Sequence, residues 1–197
     1  MTLYRTILAD PPWEYGAWGK ATPERRPNCK VYPMPYPTMT VEQIRSLRVS
    51  EYAAPDCELY LWATNRYLPD VFGVIQSWGF EYCQTLTWCK TPRGTGQGGL
   101  YCPTTEFLIL GRRGAMPTAK ERQDSTWWQV KRPHNQHSKK HAFFYAMIEA
   151  MSEPPRLELF ARPITPMFPK IEGWHTFGNE VANDVKFAEM ESGELSI

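Results

Sequence analysis

The hydrophobic positions of the chain follow two spacings, one typical of strands and one typical of helices. Runs rich in aromatic and β-branched residues predict strands, whereas apolar residues three and four positions apart predict helices. One predicted helix has a clear start, because Thr40 and Gln43 have the spacing of a capping box, and another has a clear end at Gly79. The first predicted strand ends at Asp10, and further strands are predicted over 57–64, 80–90, 104–112, 156–161 and 174–178. The predicted helices span 40–48, 66–79 and 139–151.

Strands and helices that alternate in this order predict an α/β fold, with a mixed, mostly parallel sheet flanked by crossover helices. A chain of 197 residues suits a single domain over 1–197 with one core. We expect irregular insertions near 14–37 and 163–173 and a short C-terminal tail at 185–197. Ligands of such sheets bind at the carboxyl ends of the strands, and Asp10 lies at one of these ends.

The composition limits where the protein works. Hydrophobic residues make up 42% of the chain, yet they never form the long apolar run that a membrane span requires. The first residues, MTLYRTILAD, also lack the basic and then apolar pattern of a secretory signal. We therefore expect a cytoplasmic protein with no membrane contact.

The five cysteines favour neither disulfides nor a metal site. They are odd in number and form no C-x-x-C pair, which argues against a disulfide framework and against a zinc knuckle. Cys83 and Cys89 lie six positions apart in a predicted strand and should share one face of it. We expect them to be reduced packing residues rather than two ligands of one metal ion.

Charge is unevenly distributed along the chain. The net charge is only +1, but residues 90–140 carry ten basic and three acidic side chains, a local excess of +7, which leaves −6 for the remaining residues. A basic segment of this kind is either a solvated loop surface or a site for a polyanion such as a nucleic acid. Charge alone does not separate these two interpretations.

The sequence ILADPPW at 7–13 places a carboxylate directly before two prolines at a strand end. Proline fixes its own φ and disfavours a helical conformation in the residue before it, so Asp10, Pro11 and Pro12 should form a stiff arc. Neither proline has an N–H, and their carbonyls therefore present acceptors. Trp13 adds a flat aromatic face for a base, although the same four residues are also typical of a turn whose tryptophan fills the core.

Such an arc of acceptors suits a reaction at an aromatic amine. The lone pair of the exocyclic amine of adenine is delocalised into the ring, so attack on a methyl sulfonium requires its N–H bonds to be held out of the ring plane. Asp10 and the carbonyl of Pro11 can each accept one N–H, and stacking on an aromatic ring, worth about 1–3 kcal/mol, keeps the base oriented. We therefore predict a catalytic role for Asp10, Pro11, Pro12 and Trp13.

The blocks LADPPW, YPTM, ELYLWAT, TWCKT, TTEFLILGRRG, HSKKHAFFYAMIE, LELFAR and GNEV follow one another over nearly the whole chain. Together they resemble the seventy-kilodalton-subunit (MTA-seventy) family of adenosine-N6 methyltransferases and its bacterial and phage relatives. The resemblance implies a Rossmann-like fold that uses S-adenosyl-L-methionine. It also implies a circularly permuted motif order, because the catalytic motif precedes the cofactor-binding motif.

The same resemblance implies methyl transfer to the N6 amine of adenine. DNA is the expected substrate, since this short chain looks like bacterial or phage members, and RNA is the second choice. A non-catalytic, nucleic-acid-binding partner subunit is the alternative from another class, but such members typically lose the acid that stands here as Asp10. A homodimer is a further expectation.

Matching positions assign the remaining site residues. Lys140 precedes a predicted helix, where a cation and a helix N-terminus favour the methionyl carboxylate, with Lys139 and His137 as alternatives. The resemblance assigns cofactor binding to Asp10, His137, Lys140, Arg162, Asn179 and Glu180, and substrate binding to Tyr36, Lys90, Arg93 and Glu106.

The basic segment would then surround the mouth of the site. Glu106 is expected near the base, because an acid in a buried strand is costly unless it is paired. The glycines of GTGQGG at 94–99 imitate a dinucleotide fingerprint, but no helix is predicted after them, so we interpret them as a loop beside the target base or an ordinary hairpin loop. The side chains expected to contact phosphates are Lys90, Arg93, Arg112, Arg113, Lys131 and Arg132.

Overall fold

The computed structural model describes residues 2–14, 37–91, 101–115, 123–132, 140–162, 172–179 and 181–187. The strands in these ranges are β1 (Tyr4–Ala9), β2 (Ala53–Thr64), β3 (Glu81–Thr91), β4 (Thr105–Arg113), β5 (Trp127–Lys131), β6 (Arg156–Leu159) and β7 (Trp174–Phe177). The helices are α1 (Val41–Ser46), α2 (Leu68–Ser77) and α3 (Ala142–Met151), and a short 3-10 turn spans Val49–Glu51.

The seven strands form one sheet in the order β5-β3-β4-β2-β1-β6-β7. β4 is antiparallel to both of its neighbours, and every other pair of adjacent strands is parallel. The predicted α/β fold with a mixed, mostly parallel sheet is therefore confirmed. β5 was not predicted, and it extends the sheet beyond β3 as an edge strand.

Helices cover both faces of the sheet. On one face, α1 and α2 bury Ile44, Val71 and Ile75 against strand residues such as Leu59. On the other face, α3 packs Phe144 and Ile148 against a second apolar cluster, described by its strand residues Leu8, Tyr60, Trp62, Leu86, Trp88, Leu108 and Leu110. No helix within the described residues is long and apolar enough to cross a membrane.

The predicted helix signals have the expected geometry. The hydroxyl of Thr40 accepts from the backbone N–H of Gln43 at 3.1 Å, and the side chain of Gln43 accepts from the backbone N–H of Thr40 at 2.8 Å. α2 ends just before Gly79, whose φ of +80° is the left-handed conformation that favours glycine. Both boundaries follow from local chemistry and need no tertiary contact.

The chain changes direction within the sheet between β1 and β6. From β1 it passes through α1 to β2 on one side, whereas α3 leads into β6 on the other side. In open α/β sheets, the carboxyl ends of two strands at such a point flank a crevice that binds ligands. By this rule, we expect the ligand crevice of this sheet between Asp10, which follows β1, and Phe160, which follows β6.

The direction of β4 corrects one expectation about the basic segment. Arg112 and Arg113 lie at the carboxyl end of β4, which is the sheet edge opposite to Asp10 because β4 is antiparallel. A guanidinium nitrogen of Arg112 lies 3.6 Å from a carboxylate oxygen of Glu81, and Arg113 donates to the carbonyl of Ser50 at 2.8 Å. The expectation that these two arginines surround the mouth of the site is therefore wrong.

A bulge in β3 corrects the expectation about two cysteines. The register of β3 on β4 shifts between Tyr82 and Gln84, which adds one residue to β3 at Cys83. Cys83 packs against the cluster that contains Trp88. Cys89, the neighbour of Trp88 along the strand, points to the other face, so Cys83 and Cys89 do not share a face.

Candidate active site

The site residues that the structure describes lie at one edge of the sheet, which we call the site edge. It is formed by the carboxyl ends of β1, β2, β3, β5, β6 and β7 and, because β4 runs the other way, by the amino end of β4. The predicted residues placed here are Asp10, Pro11, Pro12, Trp13, Lys90, Glu106, Lys140, Arg162 and Asn179. Tyr36, Arg93, His137 and Glu180, with the loop at 94–99, lie outside the described residues.

The arc after β1 is held by backbone hydrogen bonds on both sides. The N–H of Asp10 donates to the carbonyl of Leu159 in β6 at 3.5 Å, and the carbonyl of Pro12 accepts from the N–H of Met39 at 2.8 Å. The carbonyl of Pro11 accepts from the N–H of Trp13 at 2.8 Å. Since a carbonyl oxygen has two lone pairs, Pro11 keeps an acceptor position for a further donor.

Trp13 lies in the core and presents no free face. Its ring is 2% exposed, and it stacks on Tyr67 with centroids 4.8 Å apart and an interplanar angle of 18°. Its indole N–H donates to the carbonyl of Trp62 at 3.0 Å. A base could stack on Trp13 only if this packing opened, so the flat face expected from the sequence is covered. The packing anchors the arc to the end of β2.

Four charged side chains form a row across the site edge, which we call the charge row: Asp10, Lys140, Glu106 and Lys90. The ammonium nitrogen of Lys140 lies 2.8 Å from both carboxylate oxygens of Asp10 and 3.4 Å from Oε2 of Glu106. Lys90 forms an ion pair with Oε1 of Glu106. The exposed fractions of these side chains are 22%, 7%, 9% and 17%, so each charge depends on its neighbours more than on water.

Electrostatics in the charge row favours the ionised form of Glu106. Burial alone would raise the pKa of Glu106, but Lys140 and Lys90 together lower it below its ordinary value. Burial alone would lower the pKa of Lys140, but Asp10 and Glu106 raise it. Burial lowers the pKa of Lys90, and Glu106 offsets only part of this effect. Removing one member would therefore leave a buried charge without compensation.

An aromatic layer lies beneath the charge row. The ammonium nitrogen of Lys140 is 5.1 Å from the ring centroid of Trp62, and that of Lys90 is 5.0 Å from the ring centroid of Trp88. The two indole rings meet edge to face with centroids 6.0 Å apart. Both cations therefore lie at distances at which an aromatic face attracts them, in surroundings with little water.

Three buried polar atoms near the charge row have no hydrogen-bond partner among the described residues. They are Nε1 of Trp62, Oγ1 of Thr64 and Oε2 of Glu106. Thr64 and Glu106 are cross-strand neighbours, and Trp62 lies on the same face of β2 as Thr64. Buried polar atoms are normally satisfied, so the indole N–H and the hydroxyl are available to a ligand or a water, whereas Oε2 of Glu106 has its ion pair with Lys140. Sequence reasoning missed Trp62 and Thr64, although period-two spacing from Tyr60 places both on the face of α3.

The ends of β6 and β7 form the other side of the crevice. Phe160 has a φ of +61°, an uncommon conformation for a residue with a side chain, directly at the end of β6. Gly178 approaches so closely that a Cβ there would collide with the carbonyl oxygen of Ala161. Arg162 and Asn179, which follow these two neighbouring strands, are both exposed at the site edge.

The described residues contain no group of three or more His, Cys, Asp and Glu side chains arranged to hold a metal ion. The site edge offers acceptors at the arc, alternating charges and buried donors.

The part of the chain that is similar to known proteins includes the strands and helices described above. The model of the MT-A70 family matches residues 4–180, from the first strand to just beyond the last. The type II methyltransferase M.MunI of a Mycoplasma species is 29% identical over 98% of this chain and 83% of its own length. The human N(6)-adenosine-methyltransferase catalytic subunit METTL3 is 26% identical over 90% of this chain, and the mouse N(6)-adenine-specific methyltransferase METTL4 is 28% identical over 95% of it.

The chain spans only 28% of METTL3 and 39% of METTL4, so the similarity to these two covers a part of each relative. The family match, by contrast, includes every strand and helix that the structure describes. It also includes the arc and the charge row. With a family match over nine-tenths of its length, the chain belongs to the MT-A70 family of methyltransferases.

Proposed function

We propose that this protein transfers a methyl group from S-adenosyl-L-methionine to the N6 amine of adenine in DNA. The observation that carries the proposal is the position of Asp10. Its carboxylate lies at the crevice between β1 and β6, at the start of a stiff arc, and Lys140 holds both of its oxygens. This arrangement presents acceptors to an amine in a place where α/β sheets bind their ligands.

The residues at the crevice fit the proposed cofactor. S-adenosyl-L-methionine supplies an electrophilic methyl group on a sulfonium, and its methionyl carboxylate and ribose hydroxyls require polar partners. Lys140 lies directly before the N-cap of α3 and can provide the cation for a carboxylate. Arg162 and Asn179 are exposed at the ends of neighbouring strands, where they can reach the ribose hydroxyls. We also assign cofactor contacts to Asp10, His137 and Glu180.

The arc orients the amine. One N–H of adenine N6 donates to the carboxylate of Asp10, and the other donates to the second lone pair of the Pro11 carbonyl. These two bonds turn the nitrogen lone pair out of conjugation and toward the methyl group. The amine becomes acidic once it is methylated, so Asp10 can accept its proton without being a strong base beforehand. Pro12 and Trp13 keep the arc in place, and Glu106 lies at the side where the base enters.

DNA is the proposed substrate because a type II methyltransferase is similar to this chain over 98% of this chain and 83% of its own length. RNA is the second candidate, since the relative METTL3 is an N(6)-adenosine-methyltransferase catalytic subunit. A non-catalytic partner subunit is disfavoured, because the acid and the lysine that such a subunit does not need are both present and paired. Lys131 and Arg132, exposed at the end of β5, are the described cations placed to contact phosphates.

The test is transfer of tritiated methyl groups to single-stranded DNA, duplex DNA and RNA of matched sequence, followed by digestion to nucleosides. We expect label in N6-methyldeoxyadenosine from at least one DNA form, and its loss with Asp10→Asn. Label found only in RNA would replace DNA by the second candidate. No label in any nucleic acid, from a folded protein that binds the cofactor, would contradict the proposal.

We also propose an oligomeric state and a location in the cell. A homodimer would supply the target recognition that one small domain provides poorly, and light scattering during size-exclusion chromatography at assay concentration tests this. A single monomeric mass would remove the homodimer. Action on DNA in a bacterial cell would place the protein in the cytoplasm, and cell fractionation tests that location.

A further inference from the structure

Lys90 differs from the other basic residues of its segment. It lies near the end of β3, and the sequence groups it with residues expected to contact phosphates. Its side chain, however, is only 17% exposed, and its ammonium pairs with Glu106. The pairing of β3 with β4 explains why the Lys90 side chain points toward Glu106. Trp88 and Glu106 are cross-strand partners, and Lys90 lies two residues beyond Trp88 on the same face. The lysine therefore extends over the sheet and toward α3 instead of outward into solvent.

We propose that Lys90 is a positioning residue, which fixes one oxygen of Glu106 so that its other oxygen pairs with Lys140 and holds this lysine against Asp10. This inference rests on the proposed function, because it names how the substrate side of that same site is organised. It replaces the direct phosphate contact that the sequence suggested for Lys90.

The two oxygens of Glu106 have different surroundings. Oε1 is held by Lys90, whereas Oε2 is buried, has no hydrogen-bond partner among the described residues and lies 3.4 Å from Lys140. A buried carboxylate oxygen in this state depends on that one cation for its compensation. Because Lys90 occupies Oε1, Oε2 is the oxygen that meets Lys140, and Lys140 in turn lies 2.8 Å from the carboxylate of Asp10.

Several charged groups control the ionisation of Glu106. Lys90 approaches from β3 and Lys140 from the residue before the N-cap of α3, and both lower the pKa of the carboxyl group against the effect of burial. Asp10 of the arc raises the pKa of Lys140, and Arg162 lowers it. Arg132 lowers the pKa of Lys90. Without Lys90, one cation fewer would oppose burial, so the pKa of Glu106 would rise.

Lys131 provides a matched comparison. It ends β5, its backbone pairs with Thr91 of β3, and its side chain is exposed at the same edge. A phosphate contact by Lys131 would contribute to the salt dependence of DNA binding, with a slope in log K against log salt of about 0.9 per phosphate for duplexes and about 0.7 for single strands. A positioning lysine would not contribute to that slope.

The experiment compares Lys90→Met with Lys131→Met in the full-length chain. DNA affinity is measured over a range of salt concentrations, and kcat/KM for methyl transfer is measured from acidic to neutral pH. For Lys90→Met we expect an unchanged salt slope, a kcat/KM reduced at least tenfold at neutral pH and an acidic limb moved to higher pH. For Lys131→Met we expect a smaller salt slope and an unmoved acidic limb.

A double-mutant cycle adds a second readout. In Glu106→Gln the carboxylate is already absent, so adding Lys90→Met should reduce kcat/KM by less than threefold further. Lys90→Arg retains the charge and should restore the position of the acidic limb. A reduced salt slope in Lys90→Met, an acidic limb that does not move, or additive losses in the cycle would each overturn the proposal.

Failure of the proposed function can be distinguished from failure of the positioning role of Lys90. If the wild-type protein methylated no DNA, the function would fall, and the link between Lys90 and Glu106 would still be tested by unfolding. Unfolding of the wild type should then depend on pH in the acidic range through Glu106, and Lys90→Met should move that dependence to higher pH. If it did not move, the positioning role would be overturned independently of activity. If Lys90→Met folds too weakly for assay, Lys90→Gln removes the same charge and can replace it in both measurements.

Discussion

The ammonium nitrogen of Lys140 lies 2.8 Å from both carboxylate oxygens of Asp10, although 130 residues separate the two in the chain. Asp10 belongs to the arc after β1, and Lys140 lies just before α3, so the ion pair joins the two faces of the crevice between β1 and β6. The same ammonium also contacts Glu106. The acid proposed to hold the amine and the cation proposed to hold the cofactor therefore depend on each other.

Asp10→Asn should abolish methyl transfer with a much smaller effect on cofactor binding. The amide retains the shape of the side chain, but its NH2 group faces the amine and it cannot accept the proton, so we expect kcat to fall by at least about 100-fold. Calorimetry should show that S-adenosyl-L-methionine still binds, because Lys140 keeps its contact with Glu106. A variant that methylates DNA at a rate close to that of the wild type would contradict the role of Asp10.

Lys140→Met should weaken cofactor binding. Losing a charge-assisted hydrogen bond to the methionyl carboxylate costs roughly 1.5–3 kcal/mol, which is about a 10- to 150-fold increase in Kd. The variant should also unfold more easily, because Asp10 and Glu106 lose their shared cation. Lys131→Met is the control with an exposed lysine and should bind the cofactor like the wild type. Unchanged cofactor affinity in a folded Lys140→Met protein would move the role to His137 or Lys139.

Gly178→Ala and Gly173→Ala should differ in their effect on the cofactor site. A Cβ at position 178 would collide with the carbonyl oxygen of Ala161, which must then move away from the end of β7, at a cost of about 1–3 kcal/mol. At position 173 the only penalty is the φ of +81°, about 1–2 kcal/mol, because nothing lies within 4 Å. Both variants should be destabilised in urea unfolding, but only Gly178→Ala should also weaken cofactor binding. Equal cofactor affinities would show that the close approach of β6 and β7 does not shape the site.

Two buried glutamates, Glu58 and Glu106, should make the stability of the protein depend on pH in opposite directions. Burial raises the pKa of Glu58 above 4.5, although a hydrogen bond from Ser152 lowers it in part. Its contribution to stability is therefore complete below about pH 4.5 and is lost as pH rises through the raised pKa. The pKa of Glu106 is lowered, so its contribution is present above about pH 4.5 and is lost as pH falls through the lowered value.

Urea unfolding of Glu58→Gln and Glu106→Gln from about pH 3 to pH 7, a range that begins below the ordinary carboxyl pKa values of about 3.9–4.3, would separate the two. Relative to the wild type, Glu58→Gln should gain stability as pH rises, whereas Glu106→Gln should lose stability over the same change. Parallel pH dependences in the two variants would contradict the electrostatic account of the charge row.

Local signals predicted most of the elements. The capping box of Thr40 and Gln43 and the left-handed Gly79 act within a few residues, so the sequence was sufficient to mark α1 and the end of α2. β5 was missed because its five residues alternate between half-buried and exposed and depend on pairing with β3, about forty positions earlier in the chain. Trp127, Trp128 and Val130 are strand formers, so an aromatic and β-branched signal for β5 was nevertheless present in the sequence.

The site was predicted in part. Asp10, Lys140 and Glu106 were expected at one site, and the structure brings them together. Their mutual contacts could not be predicted, because they depend on the order and direction of strands. For the same reason the sequence grouped Arg112 with Lys90, although the direction of β4 separates them to opposite edges. Trp13 was ambiguous between a platform and a core residue, and its packing on Tyr67 depends on a contact more than fifty positions away.

The reversed direction of β4 has a consequence for how relatives of this protein can diverge. β3 ends at Thr91 and β4 begins at Thr105, both at the site edge next to Lys90 and Glu106. Connections between strands tolerate changes in length better than the strands themselves. New target preferences can therefore evolve there without disturbing the acid, the lysine or the framework that aligns them.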